Sequence, residues 1–481
     1  MNAATARLIL PISLALGLMG DWLFRAHQPR AGFALWALAG LGAALIIGRQ
    51  FSNKERNVRD ERGLLIACAM GLVLLLVLRD APMLYALNAF ACAVTLLLVA
   101  WRALGRPLAA LEPRDAVIGA AAAVASVAGG TPTLILRDAN ATALGEQVKG
   151  NYKTFGLGSI VAFPILLMVT GLLASADPLF AGFLEEAGTL LDTTMAEHIG
   201  ITLATTWLAA GALRGSLVPL AVDGTRFRKT WDLPLSTFLP VLGGLTLLLS
   251  AWIGLQVRAL FGGAAYVATT AGITVADYAR NGFFELVVIA GMVLAVLLTT
   301  DDLLVRETES SRRSFRALGT LLVGLVGAVL LSAVMRLSLY LGFYGLTEDR
   351  VLALAVLVWV ALVMGWFALT VLRGERLRFA RGVLGISVVW LGLFNAVNPE
   401  RLIVEVNVAR AARGLDFDVA YHAKLSADAL PALRRAQAEL AEPQATALRA
   451  ALDAQWATAN ARRAGDWREW TLPYVVHART Q

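Results

Sequence analysis

The residues able to do chemistry in this chain are acids, arginines, tyrosines and amides strung between long apolar runs. In order they are Asp177; Tyr278, Arg280 and Glu285; Arg336, Tyr340, Tyr344, Glu348 and Arg350; then Asn398, Asn407 and Arg410. Glu185, Glu186, Asp192, Glu197 and His198 accompany Asp177. Arginine near carboxylate can do two things. It can dock one segment on another through charge-assisted hydrogen bonds, or present a planar fork to an anionic ligand. Catalytic patterns are missing: there is no Walker-type loop, no HExxH and no GxSxG. The histidines (His27, His198, His422, His477) are scattered, and Cys68 and Cys92 form no metal-ligand spacing. No catalytic residue, metal or cofactor is expected. Asp301-Asp302 is a carboxylate pair, and beside Arg306 it reads as a solvated helix end.

The elements that must position these residues are membrane helices. Of 481 residues, 58% are hydrophobic and 16% charged, and the mean hydropathy is +0.67. Soluble domains carry about 25% charged residues. Net charge +7 does not point to nucleic acid, because Lys and Arg sit in short clusters between apolar runs, as in the loops of a membrane protein. A bilayer core needs about 17–25 apolar residues per helix. About eleven such spans are expected, at 8–24, 32–48, 63–79, 82–101, 157–175, 200–220, 236–256, 283–299, 317–336, 350–371 and 380–397. The first reads as an uncleaved helix, since a second span follows at once and no small-residue cleavage site precedes Asp21. Charged groups deep in spans are scarce. Arg214 and Arg336 lie near span ends, where they can snorkel, and Asn88 and Asn395 are polar but neutral.

Basic residues in loops set an orientation. Loop 49–62 carries Arg49, Lys54, Arg56, Arg59 and Arg62; loop 221–235 carries Arg226, Arg228 and Lys229; loop 300–316 carries Arg306, Arg312, Arg313 and Arg316; loop 372–381 carries Arg373, Arg376, Arg378 and Arg381. The alternate loops are poor in them, which places the N-terminus in the cytoplasm. Segment 115–136 is Ala-rich and interrupted by Gly129-Gly130 and Pro132, with basic segments on both sides. It is expected to be interfacial or re-entrant.

After the last span, Asn398 can cap a helix and Pro399 suits its first turn. Residues 398–481 then read as a soluble helical tail: a helix over 400–412, a break at 415–418, a short turn over 421–425, a helix capped by Ser426 to about Leu440, and another over 443–463. With Trp467, Trp470 and Tyr474, residues 466–479 can pack back or lie at the membrane surface. The domain reading is 1–156, a first membrane region; 157–397, a membrane core of seven spans; and 398–481, the tail.

The second half resembles a known family through residues in a fixed order. They are Ser175-Ala-Asp177-Pro178-Leu-Phe180; Tyr278-Ala-Arg280 with Gly282-Phe283-Phe284-Glu285-Leu286; Arg336, Tyr340, Tyr344-Gly345-Leu346-Thr347-Glu348 and Arg350; and Asn398-Pro399, Asn407, Arg410, Tyr421, Leu425-Ser426 and Asp428-Ala429-Leu430-Pro431. Over residues 155–435 the chain resembles the bacterial polytopic membrane family catalogued as domain of unknown function 4153, with its close relative 4173. Where that pattern usually has Leu after the tail tyrosine, this chain has His422. The resemblance implies a multi-pass bacterial membrane protein and no established activity.

The expectation is an all-α, multi-pass protein of the bacterial cytoplasmic membrane with an extracytoplasmic tail. Its loops and tail would form a docking surface for a sensor, scaffold or assembly partner. Its partners would be the bilayer and, on the outer face, a protein or an anionic or lipid ligand. The alternative is a transporter or lipid-handling protein in which Asp177, Arg280, Glu285 and Arg336 line an outward-facing polar site.

Overall fold

A computed structural model describes residues 3–26, 28–51, 56–103, 108, 113–138, 193–218, 233–271, 283–304, 309–463 and 466–478. Its elements are helices: α1 Ala3–Phe24, α2 Arg30–Phe51, α3 Arg56–Leu78, α4 Pro82–Ala103, α5 Pro113–Thr133, α6 Thr193–Leu217, α7 Leu235–Ala271, α8 Phe283–Leu303, α9 Glu309–Tyr344, α10 Glu348–Thr370, α11 Phe379–Val397, α12 Pro399–Ala411, α13 Val419–Ala423, α14 Leu430–Glu439, α15 Gln444–Arg463 and α16 Leu472–Ala478. The described residues contain no strand, only an isolated bridge between Leu233 and Leu304. Nine of these helices are long and apolar enough to cross a membrane: all of α1–α4 and α7–α11. The all-α polytopic reading holds. The expected span 157–175 lies outside the described residues. The expected span 200–220 is helix α6, which is less apolar because threonines line one side of it.

Those threonines have a use. Gly17 and Gly20 of α1 let α6 approach so closely that an added Cβ would collide with Thr206 or Thr205, and Thr205 Oγ1 donates to the Gly17 carbonyl at 3.1 Å. Small residues facing hydroxyls are how helices associate where no hydrophobic driving force separates them from lipid. Across α6, Gly211 sits against the backbone of Val127.

The segment 115–136 falls in α5 and a π-helical turn, Leu134–Asp138. Ser126 lies against Gly215 and Gly130 against Gly211, and Thr131 Oγ1 donates to the Trp207 carbonyl at 2.9 Å. The chain thus climbs α6 by about two turns. It then returns, because Asp138 pairs with Arg214 at 2.7 Å. Pro132, which lacks an N–H, precedes the wider π turn where direction changes.

Among the described residues, apolar packing has three large centres. One lies among α1, α2, α3 and α6, built on Ala6, Ile9, Ile47, Ile66 and Leu213. A second joins α7–α10 around Leu242, Leu297, Leu322, Leu357 and Phe367. The third belongs to the tail, Ile403, Val408, Leu430, Leu433, Leu448 and Trp456, and it takes in Leu346 and Val351 from the α9–α10 turn. The tail is therefore packed onto the bundle.

The bundle has two faces. The α1–α2, α3–α4 and α9–α10 turns and the end of α11 share one with the tail. The basic loops share the other. There Arg62 donates to the Ser216 carbonyl, Arg102 pairs with Glu61 and Arg376 with Asp301 and Asp302. Two expectations fail on this face. Arg214 does not snorkel but is 5% exposed and ion-paired, since Asp138 returns to it. Asp301 and Asp302 are no solvated helix end: Arg376 draws both inward, and their side chains are only 13% and 12% exposed.

Candidate functional site at the tail-facing turns

Asn398 is the hinge. It takes φ 55°, ψ 89°, the left-handed conformation that Asn tolerates better than most residues, and closes α11 while opening α12. Its Oδ1 accepts from Arg401 N at 3.3 Å, Pro399 occupies the first turn, and its Nδ2 donates to the Asp428 carbonyl at 3.0 Å. The cap expected from sequence is present, and it ties the hinge to the next loop.

α12 carries Asn407 and Arg410 to the α9–α10 turn. Asn407 Oδ1 accepts from Leu346 N at 2.8 Å. Its Nδ2 donates to the Leu346 carbonyl at 2.9 Å and to His422 Nε2 at 2.9 Å. A side-chain amide here does the work of a neighbouring strand. His422 Nδ1 donates to the Asp418 carbonyl at 2.6 Å, so Nε2 is the acceptor and the ring is neutral; burial lowers its pKa. Gly345, at φ 72°, leaves no room for a side chain, since a Cβ would meet Asn407 Oδ1. Arg410 Nη1 donates to the Leu341 and Gly342 carbonyls at 2.9 and 2.6 Å, satisfying the open end of α9. Arg350 does the same for Tyr344 and Gly345 and lies 4.4 Å over the Tyr340 ring. Tyr421 Oη accepts from Glu348 N at 2.9 Å; burial pushes its pKa up to about 12.

The second junction was not anticipated. Asp80, in the α3–α4 turn, and Asp428, in the α13–α14 loop, cap each other's loops. Asp428 Oδ2 accepts from Asp80 N at 2.6 Å and Ala81 N at 2.8 Å, while Asp80 Oδ2 accepts from Ala427 N at 3.1 Å. Asp80 Oδ1 also accepts from Thr471 Oγ1 at 3.0 Å. Arg30 pairs with Asp80 and Arg79 with Asp428, both at 3.3 Å. Two carboxylates and two guanidiniums balance, as burial requires.

Glu400 is the acid left over. It is 1% exposed; its Oε2 accepts from Ser426 N at 3.0 Å and Ser426 Oγ at 2.6 Å, and its Oε1 has no hydrogen-bond partner among the described residues. Burial, helped by the nearby acids Glu348 and Asp428 and only partly offset by Ser426, raises its pKa to about 8. Ser426 thus serves Glu400 while its Oγ also accepts from Asp428 N at 3.2 Å, capping the turn that leads into α14; α14 itself starts four residues later, with no side-chain cap of its own.

A third contact brings residues 466–471 back onto the α1–α2 turn. Trp467 packs on Trp22 with centroids 5.5 Å apart, Arg468 donates to the Trp22 carbonyl, and Gln28 N donates to Glu469 at 3.3 Å. Beneath the junctions, Asn88 and Asn395 exchange paired amide hydrogen bonds of 3.0 Å between α4 and α11.

Of the residues expected to cluster, the structure brings together Tyr340, Tyr344, Glu348, Arg350, Asn407 and Arg410, with Asn398 one helix away. Tyr340, Tyr344 and Arg336 belong to α9 itself, not to a loop, because the helix runs on to Tyr344. Arg336 lies apart from the cluster, 5.7 Å over the Trp252 ring. Asp177, Tyr278 and Arg280 lie outside the described residues; Glu285 is in the first turn of α8, and its side chain is likewise not described. Sequence reasoning missed Asp80, whose partners Ala427 and Thr471 lie far along the chain in the tail.

A family model described as a domain of unknown function, DUF4153, matches residues 66–436. The match begins well before residue 155, so Arg79, Asp80 and Asn88 fall inside it. No curated protein and no solved structure matches the chain.

Proposed function

The chain belongs to the DUF4153 family, and we propose that it is a non-catalytic scaffold, sensor or assembly protein of a bacterial cytoplasmic membrane whose tail is a rigid platform for a partner. The observation that carries this reading is the depth of the tail's attachment. Buried ion pairs and amide contacts reach the α1–α2, α3–α4 and α9–α10 turns, so residues 398–463 and 466–478 sit in one fixed pose. The polar cluster is consumed in holding that pose, and recognition falls to the outward faces of α12, α14 and α15, where Arg401, Glu405 and Arg435 form an exposed network. Lys and Arg concentrate in the loops of the face opposite the tail, which under the positive-inside rule supports a cytoplasmic side for that face and an outside position for the tail, since a long domain translocates largely regardless of its own charge.

Single cysteines at Ser310 and Ala457, in a chain with Cys68 and Cys92 replaced, test the orientation. An impermeant thiol reagent on intact cells should label position 457 and spare 310; the reverse removes the extracytoplasmic platform. A photo-crosslinker at Ala457 should then give one discrete adduct that disappears when the tail is undocked by Asp428→Ala. An unchanged adduct, or none, refutes the platform.

A further inference from the structure

On the face opposite the tail, the start of α9 and the α10–α11 turn enclose a cavity of about 180 Å³. Arg312, Arg316, Arg373 and Arg376 share its wall with Asp301, while Leu304, Phe315, Val371 and Leu372 form an apolar floor. We propose that this cavity binds a phosphate group, that of an anionic phospholipid at the membrane surface.

The charge balance carries the argument. Asp301 and Asp302 are both engaged by Arg376. The acids on the flanks are paired elsewhere, Glu309 with Arg313 and Glu375 with Arg378. Among the described residues, the side chains of Arg312, Arg316 and Arg373 have neither ion pair nor hydrogen bond. Arg312 and Arg316 are four residues apart on α9, a like-charge spacing that destabilises an isolated helix by some tenths of a kcal/mol. Arg312 and Arg373 are exposed, as are Arg313 and Arg378, with side chains 76% and 71% exposed, but only the first two line the cavity. Arg316 instead is half-buried and reaches over the cavity to Gly374, whose Cβ position is 3.5 Å from Arg316 Nη2. Gly374 holds φ 87°, the left-handed conformation that turns the chain back toward α11.

Several guanidinium forks around a small space suit a group with multiple acceptor oxygens and more than one ester or charge arm, which is a phosphate. The volume is far below the 300–1,000 Å³ or so of drug-sized sites and fits a head-group fragment. The position suits a lipid source. The apolar spans of α9 and α10 end here, Leu377 stands 64% exposed beside the turn, and basic pockets between membrane helices hold anionic head groups.

The test uses the full chain, purified in a zwitterionic detergent and titrated with dihexanoyl-phosphatidylglycerol, dihexanoyl-phosphatidylcholine and inorganic phosphate. Phosphatidylglycerol should bind, and Arg316→Gln and Arg373→Gln should each weaken it about tenfold, the share of one charge-assisted hydrogen bond. Arg316→Lys, which keeps charge without the fork, should fall between. Arg313→Gln and Arg378→Gln should stay within twofold. Ligand-free unfolding temperatures of all variants should match the parent, separating loss of binding from loss of fold. If inorganic phosphate binds as tightly with the same arginine dependence, the site stands and its source is soluble phosphate. Equal affinity in parent, Arg316→Gln and Arg373→Gln, or equal losses in Arg313→Gln, would mean diffuse surface attraction and overturn the proposal.

Discussion

Replacing Asp428 with Ala should release the tail from the α3–α4 turn while leaving each part folded. Asp428 is 4% exposed, and its Oδ2 is the acceptor for two backbone N–H groups, those of Asp80 and Ala81. Removing it strands both donors and leaves Arg79 without its carboxylate. Each orphaned buried donor costs about 1–3 kcal/mol, and breaking a buried pair by deleting one partner costs about 3–5 kcal/mol. These overlap, so about 4 kcal/mol is the working figure, equivalent to nearly three decades in an opening equilibrium. Hydrogen exchange followed by mass spectrometry reads it directly. Peptides over 76–84 and 419–430 should exchange about a thousandfold faster, up to the limit set by global unfolding. The helix α15 peptide should change little, because Leu448, Leu452 and Trp456 stay buried in the tail's own core. Asp428→Asn keeps acceptors for both N–H groups but not the charge, and should lose about half as much. Arg435→Ala, an exposed member of the Arg401–Glu405 network, should lose almost nothing. If Asp428→Ala accelerates exchange less than about threefold, the reciprocal aspartates do not hold the tail and the argument for a fixed platform fails.

Other expectations follow from the same contacts. Asn407→Ala should destabilise the tail by about 2–3 kcal/mol, because Leu346 N, Leu346 O and His422 all lose a partner; thermal unfolding with His422→Leu alone and combined should reveal coupling of about 1 kcal/mol. Glu400 should make stability fall as pH rises. Unfolded, it deprotonates near 4.5; folded, it holds its proton to about 8, so the native state is progressively penalised across that window, by up to about 5 kcal/mol, and Glu400→Gln should flatten the profile. Asn88→Ala should cost about 0.6–1.7 kcal/mol, the range for hydrogen bonds between membrane helices. Replacing Asn395 with Leu as well should recover part of it, measured by unfolding in mixed micelles. Gly211→Leu should disrupt the α5–α6 packing, since even a Cβ would stand 2.2 Å from the Val127 carbonyl; an unchanged unfolding temperature would refute that contact.

What the sequence discloses here, and what it hides, follows from the range of the physics involved. Span length and apolar runs are local, so the spans in α1–α4 and α7–α11 were legible, although α7 and α9 run well beyond the expected bounds. Asn398-Pro399 was legible too, because the left-handed turn and the first helical turn each demand a residue type. Asn407, Arg410, Glu348 and Arg350 could be named from the resemblance, though not their partners. Asp428 was named in the family pattern, but its pairing with Asp80 stayed hidden because the two meet across 348 positions, and a carboxylate in a short turn looks the same whether it faces water or another loop. Arg214 and Asp301-Asp302 were misjudged for one reason: side chains near span ends were taken to seek water when acids were near enough to keep them. Arg336 was put at a span end because tyrosines and arginine weaken the apolar signal about two turns before the helix ends at Tyr344.

His422 shows how a small departure acquires meaning only in the fold. Leucine at that position would pack as well but could not accept from Asn407, whose second amide hydrogen would then lie buried without a partner. The histidine is held neutral by burial and by donating from Nδ1, which is the one protonation state that leaves Nε2 free to accept. Asn407 in turn fixes Leu346 between α9 and α10, while Asp428, from the loop just beyond His422, fixes Asp80 between α3 and α4. The bundle's two apolar centres are joined inside by the Asn88–Asn395 pair and from outside by the tail, which touches turns belonging to both. A partner that binds the tail more tightly in one spacing of those turns must shift the bundle toward that spacing, by no more than its difference in affinity. On the platform we propose, the buried charges that hold the tail couple it to the arrangement of the membrane helices.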